Sequence, residues 1–178
     1  MSRVYFIVEG ETEELLVKKL FLGKVVVLNL WTLKNNKINS LLRVIPPKSS
    51  KVFIVCDTDR ISDISKRDFI ANFHSLKKHV GNKNIILFQQ NHNLEDELIK
   101  CLGINKKKLY LLFNNASGSQ QLKRNFLQEK SLVQKLVDNG FQQQKLWGSE
   151  LCEELRELKE FHSFPSEHSK LILRDLSQ

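Results

Sequence analysis

The sequence predicts an α/β fold with a doubly wound, mainly parallel sheet of four to five strands. Four short apolar runs without polar alternation lie in the N-terminal half, which is typical of strands covered on both faces. Segments with helical periodicity separate them, and strands alternating with helices favour this fold class. The apolar runs are residues 4–8, 25–28, 52–56 and 85–88.

The segments between the runs carry apolar residues at the three- and four-residue spacing of a helix. We predict helices over residues 12–21, 38–45 and 66–80, the second of which is stopped by two consecutive prolines. Residues 109–113, with the sequence LYLLF, are a candidate fifth strand.

The composition changes after residue 113. A turn-forming cluster, NNASGSQ, is followed by two segments rich in Lys, Glu and Gln, which predict long helices over residues 119–139 and 145–161. Because no Pro- or Gly-rich linker interrupts the chain, we interpret residues 1–178 as a single domain. Its core would cover about residues 1–113, with a helical extension over about 114–178.

The charge of the chain favours a polyanionic partner. Lys and Arg outnumber Asp and Glu by 28 to 20, and the formal net charge is +8. Neutralised phosphates release counterions, which strengthens the binding of nucleic acid to such a protein. The three cysteines are far apart and predict neither a disulfide framework nor a zinc site. No apolar stretch reaches the ~18 residues of a membrane span, so we expect a soluble cytoplasmic protein without a membrane partner.

Acidic side chains follow two of the predicted strands. Glu9 and Gly10 follow the first, and Asp57 and Asp59 follow the third. Ligands of a doubly wound sheet gather beyond the carboxyl ends of its strands, and alternate residues of an extended chain point to the same side. Two carboxylates ~4 Å apart repel by about 4 kcal/mol at an effective dielectric constant of 20. A divalent cation such as Mg²⁺ would offset this repulsion.

Further acids follow the fourth run and begin the first helix. Residues 95–97 are either candidate ligands or helix-start acids that follow Asn93, a plausible N-cap. Glu11, Glu13 and Glu14 are interpreted as ordinary acids in the first turn of a helix, where they complement its dipole.

The segment ASGSQQLKR, residues 116–124, offers backbone amides at a helix start. Lys123 or Arg124 would supply positive charge to a scissile phosphate. The alternative is an ordinary capped helix with a solvated basic face.

The strand ending in Glu9-Gly10, the helix after it, and the strand ending in Asp57-x-Asp59 together resemble the Toprim domain, a metal-binding α/β module. The resemblance covers about residues 4–102. The forms VEGETEE, VFIVCDTDR and NHNLEDEL are similar to the small Toprim proteins of prokaryotic phage defence, in the RloB-like and OLD-like groups.

The resemblance implies a nuclease that hydrolyses phosphodiester bonds of DNA or RNA with Mg²⁺ or Mn²⁺. It implies that Glu9, Asp57 and Asp59 bind the metal and take part in catalysis, with Glu9 also the general base or acid. Glu95 is then a further catalytic acid, Glu97 a further ligand, and Lys123 the phosphate-stabilising cation. A partner in a defence complex, such as an ATPase, and a homo-oligomer are compatible with this resemblance.

Two alternatives are retained. One is a catalytically silent Toprim subunit that binds nucleic acid or a protein partner. The other is a receiver-like switch domain, in which an aspartate at the end of the third strand accepts a phosphoryl group. Receivers carry adjacent acids after the first strand and a lysine after the fifth, which this sequence lacks. The sequence has no GxSxG elbow and no GxxxxGK[ST] loop, so it does not support ATP hydrolysis.

Overall fold

The computed structural model describes residues 3–59 and 61–172. Within them, the strands form one parallel sheet in the order β2-β1-β3-β4. The predicted α/β class and all four predicted apolar strands are confirmed. The strands are β1 (Arg3–Val8), β2 (Lys24–Val27), β3 (Ser50–Asp57) and β4 (Ile85–Gln90).

Helices cover both faces of the sheet, as the doubly wound class requires. Those predicted over residues 12–21, 38–45 and 66–80 are present with bounds that differ by at most a turn. The α-helices are α1 (Glu11–Leu20), α2 (Asn35–Val44), α3 (Asp63–Val80), α4 (Leu94–Leu102), α5 (Lys106–Leu112), α6 (Ser119–Gln128) and α7 (Leu132–Asp138).

Alternate strand residues enter two separate hydrophobic clusters, because successive side chains of a strand point to opposite faces. Phe6 and Phe53 pack with α1 and with α4 to α7 on one face. Ile7 and Ile54 pack with α2, α3 and a C-terminal 3₁₀ segment on the other. Both faces are therefore buried, which explains why the strands lack polar alternation.

The predicted fifth strand over residues 109–113 is wrong, because this segment lies in α5 and its C-cap. Asn105 caps the helix by accepting a hydrogen bond from the Lys108 N–H at 2.9 Å. Leu109 and Phe113 are fully buried four residues apart, whereas Leu111 is 55% exposed. This is helical periodicity, which a run of only five apolar residues does not distinguish from a buried strand.

The two long C-terminal helices are also wrong as predicted. The first is broken between α6 and α7, where Glu129 accepts the Ser131 N–H at 3.1 Å and pairs with Lys135. In place of the second, a 3₁₀ helix covers Glu153–Phe161. Its buried residues Leu155, Leu158 and Phe161 recur every third position. That spacing matches the three residues per turn of a 3₁₀ helix.

The residues after 113 complete the core rather than standing apart from it. The Trp147 side chain is fully buried, and its ring stacks on Phe21 at 5.6 Å and Phe88 at 5.8 Å between centroids. Further on, the Ser163 N–H donates to the Leu87 carbonyl at 3.2 Å, beside an isolated parallel bridge to β4. The C-terminal segment therefore partly covers this edge of the sheet.

Within the described ranges, none of the helices combines the length and the apolar character that crossing a membrane demands.

Candidate active site

Glu9 and Asp57 meet at the topological switch point of the sheet. From β1 the chain first passes to β2 on one side, and later to β3 on the other, so the carboxyl ends of β1 and β3 flank the crevice where α/β sheets bind ligands. Glu9 follows β1 directly, and Asp57 ends β3. The Asp57 N–H donates to Oε1 of Glu9 at 2.8 Å. The structure thus brings these two predicted residues together.

The Glu9 carboxylate is oriented by two side chains from the loop after β2. The Trp31 indole N–H donates to Oε1 of Glu9 at 2.6 Å, and the Asn29 amide donates to Oε2 at 3.0 Å. Oδ1 of Asn29 in turn accepts the Trp31 backbone N–H at 2.9 Å, which ties the loop together. Sequence analysis did not identify Asn29 or Trp31, and only their polar and aromatic character directly after an apolar strand could have indicated them.

Gln90, at the end of β4, bridges two acids of the site. Its side-chain amide donates to Oδ1 of Asp57 and, at 3.2 Å, to Oε1 of Glu13. Oε1 of Gln90 accepts the Trp147 indole N–H at 3.0 Å. An indole nitrogen can only donate, so this contact requires the Gln90 oxygen to face Trp147 and its NH₂ group to face the acids. Gln90 is fully buried and therefore holds Asp57 and Glu13 at fixed positions.

Glu13 was interpreted as an ordinary helix-start acid, but the structure places it in the site as well. Its side chain is only 6% exposed, and Thr12 donates to its Oε2 at 3.0 Å. Glu14, by contrast, pairs with Lys18 at 2.6 Å on the surface, and Glu11 is exposed. The four acids after β1 therefore separate into two site residues, Glu9 and Glu13, and two surface residues.

Burial raises the pKa of both switch-point acids. It raises the pKa of Glu9 to about 7, although hydrogen bonds from the Asp57 N–H and the Trp31 indole favour the ionised form. For Asp57, burial and the neighbouring charges of Glu9, Glu13 and Asp59 raise the pKa to about 8, against a hydrogen bond from Gln90. Both acids therefore have pKa values near neutral pH. Such a pKa suits a general base, and it suits a metal ligand that releases a proton when a cation binds.

Two clefts open on either side of the β3 carboxyl end, and Asp57 and Asp59 line both. The main cleft has a volume of about 210 Å³. The second has a volume of about 190 Å³ and is also lined by Glu9, Asn29 and Trp31. The polar residues that line the main cleft are Thr12, Glu13, Asp57, Asp59, Asn93, Glu95, Lys106, Ser119 and Lys123.

Glu95 and Lys123, which are distant from Asp57 in the sequence, enter the main cleft with it. Glu95 is 9% exposed and accepts the Ser119 hydroxyl at 3.0 Å. Lys106, which was not among the predicted catalytic residues, lies 3.9 Å from the same carboxylate and lines the cleft. The cleft therefore combines acids with two lysines.

Glu97 lies outside both clefts. It is fully buried, and its two oxygens accept the Asn91 N–H and the Trp147 N–H, each at 2.9 Å. Lys100 approaches Oε2 at 3.7 Å. Trp147 has a φ of 50°, a left-handed conformation that is uncommon for a bulky residue, and the Glu97 contact helps to hold it. The position of Glu97 supports a structural role rather than the predicted ligand role.

The donor set of the site fits a hard divalent cation. Among residues 3–59 and 61–172, no three acidic, histidine or cysteine side chains enclose a metal position by themselves. Mg²⁺ characteristically uses one or two carboxylates and completes its shell with waters and substrate phosphate oxygens. Asp57 and Asp59 both line the two clefts, and their carboxylates would be the protein ligands of such an ion.

Comparisons with known proteins return no match for this chain, whether against family models, curated proteins or solved structures.

Gly10 makes room for the Glu13 carboxylate, which provides a test of this geometry. A Cβ atom at position 10 would lie 2.8 Å from Oε2 of Glu13, so we expect Gly10→Ala to displace that carboxylate from Gln90. Gly118 is a matched control, since it is also an N-cap glycine and a Cβ atom there would meet nothing within 4 Å. Both variants should lose about 0.5–1 kcal/mol of unfolding free energy because alanine is a poor N-cap.

If Mn²⁺ binds at the site and raises the melting temperature, only Gly10→Ala should also weaken that increase. Equal Mn²⁺ effects in the Gly10→Ala and Gly118→Ala variants would contradict a site role for Glu13.

Proposed function

We propose that this protein is a metal-dependent nuclease of the Toprim type that hydrolyses phosphodiester bonds of DNA or RNA. The observation that carries the proposal is the proximity of two partly buried acids, Glu9 and Asp57, at the switch point of the sheet, where the backbone N–H of Asp57 donates to the Glu9 carboxylate. Two ionised acids beside one another in a partly desolvated site repel each other, and a divalent cation would offset that repulsion.

In this proposal Asp57 and Asp59 would hold Mg²⁺ or Mn²⁺. When bound, such an ion would supply Lewis-acid chemistry to the scissile phosphate and to the attacking water. Glu9, whose pKa of about 7 suits proton transfer near neutral pH, accepts a proton from the attacking water. The proton is then available to the leaving oxygen when the P–O ester bond breaks.

The cationic residues of the main cleft support a phosphate-containing substrate. Lys106 and Lys123 line the same cleft as Asp57, where they would stabilise charge that develops on the phosphate oxygens. The net charge of +8 supports a polyanion rather than a small phosphate ester. The resemblance to small Toprim proteins extends the proposal to prokaryotic defence against phage, with a protein partner such as an ATPase.

The proposal is tested by incubating the purified protein with labelled DNA and RNA in Mg²⁺, Mn²⁺ or EDTA. We expect cleavage only with a divalent cation, and a loss of at least about a hundredfold in Glu9→Gln and in Asp57→Asn. Glu11→Gln, an exposed acid from the same stretch, is the control and should cleave at the wild-type rate. Undiminished cleavage in both site variants would refute the assignment.

A catalytically silent binding subunit is the second candidate. The observation in its favour is that the Glu9 carboxylate already accepts hydrogen bonds from Trp31, Asn29 and the Asp57 N–H, as a structural acceptor would. This candidate predicts Mn²⁺ binding, measured by calorimetry, without cleavage of any nucleic acid. Metal-dependent cleavage that is lost in Asp57→Asn would exclude it.

A further inference from the structure

A further depression, which we call the α5 groove, adjoins the main cleft. It has a volume of about 380 Å³. Lys106 lines both the α5 groove and the main cleft, so the two are neighbours. The groove is lined by Lys106, Lys107, Tyr110, Leu111, Asn115 and Ala116.

The sequence of α5 places positive charge and apolar surface side by side. The helix opens with three exposed lysines, residues 106–108, and has no acid in its first turn, which is the reverse of the usual preference at a helix start. The Asn105 cap and the burial of Leu109 stabilise the helix instead. The lysine side chains, rather than the backbone amides of this short helix, supply the charge. Three lysines at the start of a helix repel one another and the helix dipole, which destabilises α5 by itself. The same positive charge would attract an anion.

The apolar part of the groove is formed by Leu111, by the partly buried Tyr110 and by the buried Ala116. Leu111 is 55% exposed, because it lies two residues from the buried Leu109 and Phe113 and so on the opposite side of the helix. The Tyr110 ring lines the groove, with the Lys106 ammonium 5.7 Å from its centroid. The Tyr110 hydroxyl lies 3.2 Å from the Ser119 hydroxyl, which itself donates to Glu95 in the main cleft. These contacts connect the position of the Tyr110 side chain to the candidate active site.

We propose that the α5 groove binds the nucleotide next to the scissile phosphate of a single-stranded nucleic acid. This inference rests on the proposed function and names its substrate class. Tyr110 and Leu111 would contact the face of a base, while Lys106 and Lys107 neutralise the flanking phosphates. A single strand offers an accessible base face and its flanking phosphates together, because its bases are unpaired and can leave the stack.

A duplex fits the same surface less well. Its base faces are covered by neighbouring base pairs, so the aromatic and apolar part of the groove would gain no contact. The acids of the site also lie at the strand ends within clefts of about 200 Å³, where a flexible single strand can follow the surface.

The experiment measures binding without cleavage. Fluorescence anisotropy in EDTA compares a short labelled single-stranded DNA, the same sequence as RNA, and the corresponding DNA duplex. We expect the single strands to bind more tightly than the duplex, and Tyr110→Ala to weaken single-strand binding about tenfold, the order expected for the loss of one stacked base. Lys107→Ala should weaken it by a smaller factor and reduce its salt dependence.

Three controls make the result decisive. Tyr110→Phe keeps the ring without the hydroxyl and should bind as the wild type does. Lys78→Ala removes an exposed charge at the end of α3, on the other face of the sheet, and should also bind normally. Melting temperatures identify any variant that fails to fold; if Tyr110→Ala is one, Lys107→Ala still tests the groove.

The outcomes of the binding and cleavage assays are separable. Duplex binding as tight as single-strand binding, or single-strand binding that Tyr110→Ala leaves unchanged, would overturn the groove assignment even if the protein is a nuclease. Conversely, groove-dependent single-strand binding with no cleavage in any divalent cation would uphold the groove and refute the nuclease. A difference between the DNA and RNA strands would identify the substrate sugar.

Discussion

Replacing Asp57 with asparagine is expected to make the folded protein more stable at about pH 8.5 in EDTA, by about 3–5 kcal/mol, while abolishing metal-dependent activity. Asparagine keeps an oxygen that can accept the Gln90 amide, but it carries no charge to be buried beside Glu9 and Glu13. A substitution that raises stability and removes activity is the behaviour of a strained functional residue rather than of a structural one.

The sign of the pH dependence follows from the direction of the pKa shifts. The pKa of Asp57 is raised to about 8 and that of Glu9 to about 7 by burial. Between about pH 4 and pH 8 these two acids therefore bind more protons in the folded chain than in the unfolded chain, so their contribution to the free energy of unfolding falls as the pH rises through this window. Burial lowers the pKa of His162 and His168, which contribute in the opposite direction. Denaturant unfolding of the wild type at about pH 5.5 and about pH 8.5 should show that decrease, and Asp57→Asn should show a smaller one.

Divalent cations should reverse the loss of stability at high pH. Mn²⁺ displaces protons from the carboxyl groups that bind it, so it should raise the melting temperature more at about pH 8.5 than at about pH 5.5. Asp57→Asn should lose most of this increase, whereas the exposed control Glu11→Gln should retain it. If Asp57→Asn were less stable than the wild type, the unfavourable charge assigned to Asp57 would be contradicted. If Mn²⁺ raised the melting temperature of this variant as much as that of the wild type, the metal site at Asp57 would be contradicted.

Trp147→Ala is the substitution expected to destabilise the protein most, by about 3–5 kcal/mol. The ring is fully buried between Phe21 and Phe88, and its removal would leave a cavity in the core between α1 and β4. It would also release the oxygen of Gln90 from its indole partner. Denaturant unfolding measures the loss, and Ile64→Ala, at a position that is 66% exposed, should change stability by under about 0.5 kcal/mol.

Trp147→Phe separates packing from the orientation of Gln90. It keeps an aromatic ring in the core but removes the indole N–H, so we expect a loss of about 1–2 kcal/mol. Because the Gln90 amide would no longer be held toward Asp57 and Glu13, we also expect weaker stabilisation by Mn²⁺. If Trp147→Ala cost under about 1 kcal/mol, the placement of Trp147 in the core would be contradicted.

Both tryptophans of the chain thus help to position the acids of the candidate site. Trp31 donates to Glu9 directly, and Trp147 acts on Asp57 and Glu13 through Gln90. The two reach the site from opposite faces of the sheet, since Trp31 packs with the α2–α3 cluster and Trp147 with the cluster of α1. Repacking either face would therefore change the position of the acids.

The strands and the meeting of Glu9 with Asp57 could be predicted from the sequence alone. Uninterrupted apolar runs separated by helical segments leave few alternatives to a parallel sheet, and the carboxyl ends of parallel strands share one edge. An acid directly after each of two such runs therefore lies at the same edge of the sheet as the other, and the strand order makes the two neighbours. This prediction needs only local patterns and the general geometry of the fold class.

Only the tertiary structure decided which other residues join them. Glu13 has the sequence signal of any acid in a first helical turn, and its contact with Gln90 spans 77 positions of the chain. The contact between Trp147 and Gln90 spans 57 positions, so no local pattern indicates it. Likewise, residues 109–113 belong to a helix and its C-cap rather than to a strand, because Leu109 and Phe113, four residues apart, are the positions that pack into the core. The sequence determined the sheet and its two leading acids, whereas long-range packing determined their neighbours, because contacts between distant segments have no periodicity of their own to detect.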